Sequence, residues 1–247
     1  MHFRHLPFAA FLVLSVCTSS AQSTAATKAV GPSEIPPSAL AYESRIGSFR
    51  VELLSSYVSV AKSDVEYLAV FQLLMGEMEL LDVFVDRSDF ERRHIPGNIL
   101  ELPMIQIQMY PDDMTAITDA NWPKLREMLP RTMASEGGRV ATIEGGENAK
   151  NVSRQSDSIV DITDMKVGDV VIYHNDHDGV RWINRASMAF EGHDEPLAFV
   201  MATAAQRVGR HLYLVRLVAR ARTDGDVKAA TASLDGWLKN IWSSPNP

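Results

Sequence analysis

The sequence predicts an α+β fold: an antiparallel β-sheet flanked by helices on both faces, a three-layer αβα sandwich. Three observations point to it. Most apolar stretches beyond position 45 alternate with a period of two over strand length, and short turn-rich pieces join them as in a meander. Two stretches, one beginning near Thr118 and one near Asp224, shift to the helical period instead. Finally, the stretch Pro196 to Gln206 is apolar on both sides, with Leu197, Phe199 and Met201 on one face and Ala198, Val200 and Ala202 on the other. Such a strand is central and needs cover above and below.

The N-terminus reads as a secretory signal over residues 1–21. Arg4 gives a basic start, Phe8 to Val16 an apolar run, and Ser19 with Ala21 the small-x-small cleavage pattern. The run is shorter than the ~20 apolar residues a membrane span requires. Cys17, the only cysteine of the 247 residues, ends that run, so a lipid anchor there has to be weighed. Val16 occupies the position where lipoprotein signals carry Gly, Ala or Ser, which disfavours the anchor. The mature chain then holds no thiol for catalysis, zinc or redox chemistry. Periplasmic or secreted localisation is expected.

Residues 22–44 are small, proline-bearing and aperiodic, and read as a flexible leader. A single α+β domain is expected over 45–243, interrupted by a long glycine- and serine-bearing loop near 134–158. Strands are expected at "FRVELLS", "EYLAVFQLL", "MELLDVFVD" and "MIQIQMY", with Gly76 and Glu77 as the turn between the second and third. After the loop come "VGDVVIYH", "VRWINRASMAF", "PLAFVMATAAQ" and "HLYLVRLVARA". Met75, Met78, Met104, Met109 and Met114 are most simply core and edge filler.

One helix is expected in "TDANWPKLREMLPRTM", where Trp122, Leu125, Leu129 and Met133 form a stripe and Thr118, Asp119 or Asn121 caps it. Pro123 fits only in its first turn. The other helix, "DVKAATASLDGWLKNIW", aligns Val227, Leu234, Leu238 and Ile241 and is capped by Asp224 or Asp226.

This element order, with "F-R-V-E-L" at Phe49 to Leu53 and a "DxNWPxLxxxL"-type helix start at Asp119 to Leu129, resembles the PsbP-like superfamily across Ile46 to Trp242. The resemblance implies a non-catalytic, secreted or lipoprotein binding module in a three-layer sandwich. It implies no residue roles.

Composition limits function further. With a formal net charge of -7 and no basic cluster, the chain has no footprint for nucleic acid and no attraction to an anionic membrane. A protein partner or small ligand in the cell envelope is expected, with no cofactor.

The densest chemistry lies in "YHNDHDGVRW". His174 and His177 with Asp176 and Asp178 have the donor types of a zinc, nickel or copper site, and would serve a metal-dependent hydrolase. Asp178-Gly179 between two strand patterns is equally a hairpin signal, because these residues accept the dihedrals of tight turns. The turn "RVGR" returns to the same end of the sheet, which brings Arg207, Arg210 and His211 toward this tip and favours ion pairing or anion contact. Arg216, Arg220 and Arg222 alternate onto one face as an anion or partner patch, or as a solvated strand end. Glu191 to Glu195 forms a turn roughly 30 Å away at ~3.3 Å per residue, so the two turns cannot share a site. There, Asp161, Asp164 and Asp169 with Glu191, Asp194 and Glu195 have the ligand type for calcium without its regular loop. No G-x-S-x-G elbow, phosphate-binding glycine loop or H-E-x-x-H helix occurs, and no S-x-x-K pair is expected.

Overall fold

In the computed structural model, the described residues are 38–74, 78–94, 103–109, 117–132, 162–190 and 195–245. The expected signal segment with Cys17, the turn at Gly76 and Glu77, Met75, Met114 and Met133, the loop near 134–158, and Glu191 to Asp194 lie outside them.

The strands are β1 (Leu40–Ser44), β2 (Gly47–Val51), β3 (Tyr57–Ser59), β4 (Glu79–Asp86), β5 (Met104–Met109), β6 (Ile162–Asn175), β7 (Gly179–Phe190), β8 (Leu197–Val208), β9 (His211–Arg220) and β10 (Ile241–Pro245). The helices are α1 (Val60–Ser63), α2 (Val65–Leu74), α3 (Arg87–Glu91), α4 (122–132) and α5 (Asp224–Leu238). Seven strands form one antiparallel sheet in the order β3-β4-β5-β9-β8-β7-β6, and β1-β2-β10 form a second. The two-sided apolar stretch is β8, between β7 and β9 in the interior of the large sheet.

Alternation along β9 distributes the core. Tyr213, Val215 and Leu217 join α5 residues Val227, Ala230, Leu234 and Trp237 in one cluster, together with Tyr42, Phe49, Val51 and Ile241 of the small sheet. Leu212 and Leu214, pointing the other way, join Trp122, Leu125 and Leu129 of α4 and Val180 and Trp182 of β7. Trp237 stacks on Phe84 at 5.3 Å and meets Tyr57 edge-on at 5.1 Å, which fixes α5 above β3 and β4. A third cluster closes the β3–β4 side: Val60, Phe71, Leu80, Val83 and Val85, with Tyr67, Leu68 and Phe90 against it.

Four expectations are corrected. The stretch "EYLAVFQLL" is helix α2, because Asp64 starts it: its carboxylate accepts from Tyr67 N at 2.9 Å, as an N-cap does. The last residues of the supposed leader form β1, paired with β2 from Leu40↔Val51 to Ser44↔Gly47. Ile241 does not continue α5 but opens β10, which returns along β2 and makes the second sheet. That path needs a glycine: a Cβ on Gly47 would lie 2.0 Å from the Ser244 carbonyl oxygen. The cap of α5 is Thr223, in a reciprocal box with Asp226, not either aspartate alone. At α4 the cap is the expected kind, with Thr118 N donating to Asn121 Oδ1 at 2.7 Å and Asn121 N to Thr118 Oγ1 at 3.3 Å.

Candidate functional site

The β6–β7 bend is a hydrogen-bonded turn. Asp176 N donates to the Gly179 carbonyl at 3.0 Å, and the Asp176 carboxylate accepts from the backbone N–H groups of Asp178 at 3.0 Å and Gly179 at 3.1 Å. His174 Nε2 lies 2.7 Å from the other Asp176 oxygen, and His177 Nδ1 lies 3.3 Å from Asp178 Oδ1. Each imidazole therefore pairs with a separate aspartate. Burial pushes the Asp176 carboxyl up, but the Gly179 N–H, His174 and the Asp178 N–H outweigh it and hold the group below the usual carboxylate range. The bend is also anchored from behind, since Trp122 Nε1 of α4 donates to the His177 carbonyl at 2.8 Å. Among the described residues, no three His, Cys, Asp or Glu side chains gather as a metal would require.

Arg207 does return to this end. Its guanidinium bonds Asp119 at 2.6 Å and the Gly209 carbonyl at 2.7 Å, and the Arg207 bond is the main reason that the Asp119 carboxyl lies below its ordinary range, with His177 adding to it. Arg210 contributes its carbonyl, which accepts from Ile117 N at 2.9 Å; its neighbour His211 is exposed. Arg216 is only half exposed, in the sheet row between Gln106 and Thr203, whereas Arg220 is exposed beside Phe199. Arg222 lies beyond β9, where its N–H donates to Asp226 at 2.9 Å. These six arginine and histidine positions are thus distributed from the hairpin tip, along β9, to just beyond its far end. Of the acidic groups considered for calcium, Asp161, Glu191 and Asp194 fall outside the described residues, and Asp169 and Glu195 are exposed.

Sequence reasoning missed a buried polar knot. Asp82, fully buried in β4 beside a register shift, accepts from Ser59 Oγ at 2.5 Å, Ala61 N at 2.8 Å, Val83 N at 2.7 Å and, at short range, the Tyr42 hydroxyl. The knot ties β1, β3, α1 and β4 together. Its four donors are neutral, so burial dominates and the Asp82 carboxyl lies above its usual range; burial and the neighbouring Asp82 likewise raise Tyr42. The expectation of no S-x-x-K pair is corrected as well, since Ser59 and Lys62 stand at that spacing. Yet Ser59 is 3% exposed and caps α1 by accepting from Lys62 N. Lys62 Nζ turns instead to the Ala41 carbonyl at 2.9 Å, above the Tyr42 ring. A serine so covered and so engaged serves the fold.

The remaining feature is the β6 edge. Two rows of side chains cross the sheet and end on it: Ile105, Leu217, Ala202, Ile183 and Val171 on the α5 side, and Gln106, Arg216, Thr203, Trp182 and Ile172 on the other. Both terminal residues are open to solvent, Val171 at 55% and Ile172 at 36%. Among the described residues β6 is the last strand of the sheet, and an apolar pair on an edge strand is a surface prone to pairing.

These features define a mixed helix-and-strand protein built on mostly antiparallel sheets. No family model matches the sequence, and no curated protein matches it. The chain is similar in structure to cyanobacterial PsbP (CyanoP) from Synechocystis sp. PCC 6803, in its solution structure. The TM-score is 0.42 and the identity 10%, over 83% of this chain and 92% of that one. No described helix is long and apolar enough to cross a membrane.

Proposed function

We propose that the chain is an exported, non-catalytic interaction module of the cell envelope, a PsbP-like three-layer sandwich that engages a protein partner along β6. The observation behind this reading is that two side-chain rows of the large sheet end in exposed Val171 and Ile172 on a 14-residue edge strand. Among the described residues, several of the chemistry-bearing side chains serve the fold. Asp176 closes a turn, Arg207 pairs with Asp119, and Ser59 and Asp82 hold β1 to β4. The alternation of β9 between α4 and α5 supports the layering, and the apolar segment at Phe8 to Val16 supports export.

A photo-activated cross-linking residue at Ile172, compared with one at exposed Glu43 of the small sheet, tests the reading in intact cells. A defined adduct at position 172 and none at 43 is the expected result. Absence of any adduct at 172, or equal labelling at both positions, would reject it.

A further inference from the structure

We propose that the partner strand at β6 is a second copy of this chain, paired antiparallel about a two-fold axis through Val171. This rests on the reading of β6 as the binding edge and goes beyond it by naming the occupant.

The shape of β6 carries the inference. Its pairing with β7 breaks register at three places: between Ile162 and Asp164, between Val167 and Val170, and between Ile172 and His174. Two segments run regularly between them, Asp164 to Val167 and Val170 to Ile172, and the second, centred on Val171, carries the exposed apolar pair. A bulge places an extra residue in one strand and kinks it, so an ordinary straight strand laid on β6 would pair over this segment and then meet a kink on each side. A second β6 does not have that difficulty. Antiparallel pairing about Val171 sets Gly168 and Asp169 of one copy against His174 and Tyr173 of the other, so that each irregular stretch faces the other copy's irregular stretch. A two-fold contact is self-complementary by construction, and the two kinks nearest Val171 stand on either side of it as that symmetry requires; the third, at Ile162 to Asp164, lies beyond the residues that face the other β6.

The side chains agree with that register. Val171 meets its own copy on the α5 side, and Ile172 meets Val170 on the opposite side, which covers both exposed apolar ends. Farther out, Asp169 lies across from Tyr173, and Lys166 across from Asp176. From position 166 to 176 no two like charges come opposite one another, the condition that usually separates a tolerated cross-strand contact from a repelled one. The resulting assembly continues the seven-stranded sheet into its copy across the axis.

The experiment uses the purified protein carrying Cys17→Ser, with sedimentation across a dilution series. The weight-average mass should rise with concentration toward twice that of the monomer. Val171→Lys should remain monomeric at every concentration, with the melting temperature that wild type shows at the dilute, monomeric end of the series, since the site is more than half exposed. Val171→Cys should give a disulfide-linked dimer under mild oxidation, because residues directly opposite in an antiparallel pair approach within disulfide range; Asp178→Cys, at the hairpin tip, should not. A monomer throughout, or a dimer that persists in Val171→Lys with no disulfide at position 171, overturns the proposal. If the protein is monomeric and yet the photo-adduct at Ile172 contains a different protein, the second-copy assignment falls while the module reading stands. Absence of both removes both.

Discussion

One edge of the seven-stranded sheet is three residues long and the other is fourteen. The short edge, β3, ends in a helix cap: its last residue, Ser59, both accepts from Lys62 N and donates to buried Asp82. Helices α1, α2 and α3 then pack beside it, tied down by Gln72 to Met78 and Leu80 and by Arg93 to Asp64. Leu54 and Val65 are exposed there, but on a loop and a helix start rather than on strand backbone. The long edge, β6, ends with its apolar pair in solvent. Edge strands are ordinarily shortened, charged or kinked, and this sheet uses shortness at β3 but kinks and the exposed charges of Lys166 and Asp169 at β6. The β3 edge is thus closed by the chain's own cap and helices, whereas the β6 edge leaves Val171 and Ile172 in solvent.

The strongest way to break the closed side is Asp82→Ala. It strands the Tyr42 and Ser59 hydroxyls and two backbone N–H groups in a buried site, and should cost about 3 kcal/mol, read from denaturant melts. Asp82→Asn should cost far less, since an amide can accept from the backbone donors and donate to the two hydroxyls. It should also alter the pH dependence. Burial raises the Asp82 carboxyl, so its contribution is full below the ordinary carboxylate range and is lost as pH rises through the raised value. Thermal melts of Asp82→Asn should therefore lack that loss. If the two proteins respond to pH in parallel, Asp82 is not the group responsible.

Asp64→Ala should cost about 1 kcal/mol, the usual value of an N-cap. The sign of its pH effect is opposite. The Tyr67 N–H, acting against burial and reinforced by Arg93, holds the Asp64 carboxyl below its ordinary range. Its contribution is full above the unfolded value and is lost as pH falls through the lowered one. Comparing acid melts of Asp64→Ala with wild type checks this, and a wild-type curve no steeper than the variant's would contradict it. The smallest stability effect belongs to the open side. Ile172→Lys should stay within ~0.5 kcal/mol of wild type, as surface substitutions do, while removing partner binding. A large destabilisation would mean that the side chain is covered by the chain itself.

How far the sequence discloses this contrast depends on whether a signal is local. The alternation of β4 to β9 and the two-sided apolarity of β8 are visible because a strand's period needs no distant partner. The bend at Asp176 to Gly179 is legible for the same reason: its hydrogen bonds lie within four residues. By contrast "EYLAVFQLL" has almost no polar residue to reveal a period, so a strand and a buried helix look alike; the only local clue was Asp64 just before it. Asp82 sits in an alternating stretch and looks like an outward-facing residue. A register shift and a tyrosine forty positions away make it a buried acceptor. Strand β10 is hidden similarly, because its partner is β2 and its path depends on Gly47.

Amide hydrogen exchange on dilute, purified protein tests the contrast most directly. If β6 is an open edge, the amides of Val170 to Ile172 that point away from β7 exchange rapidly, while those of Val58 and Ser59 are protected to nearly the global limit. Equal, strong protection at both edges in the isolated monomer would contradict it, because β6 would then already be paired or covered within one chain.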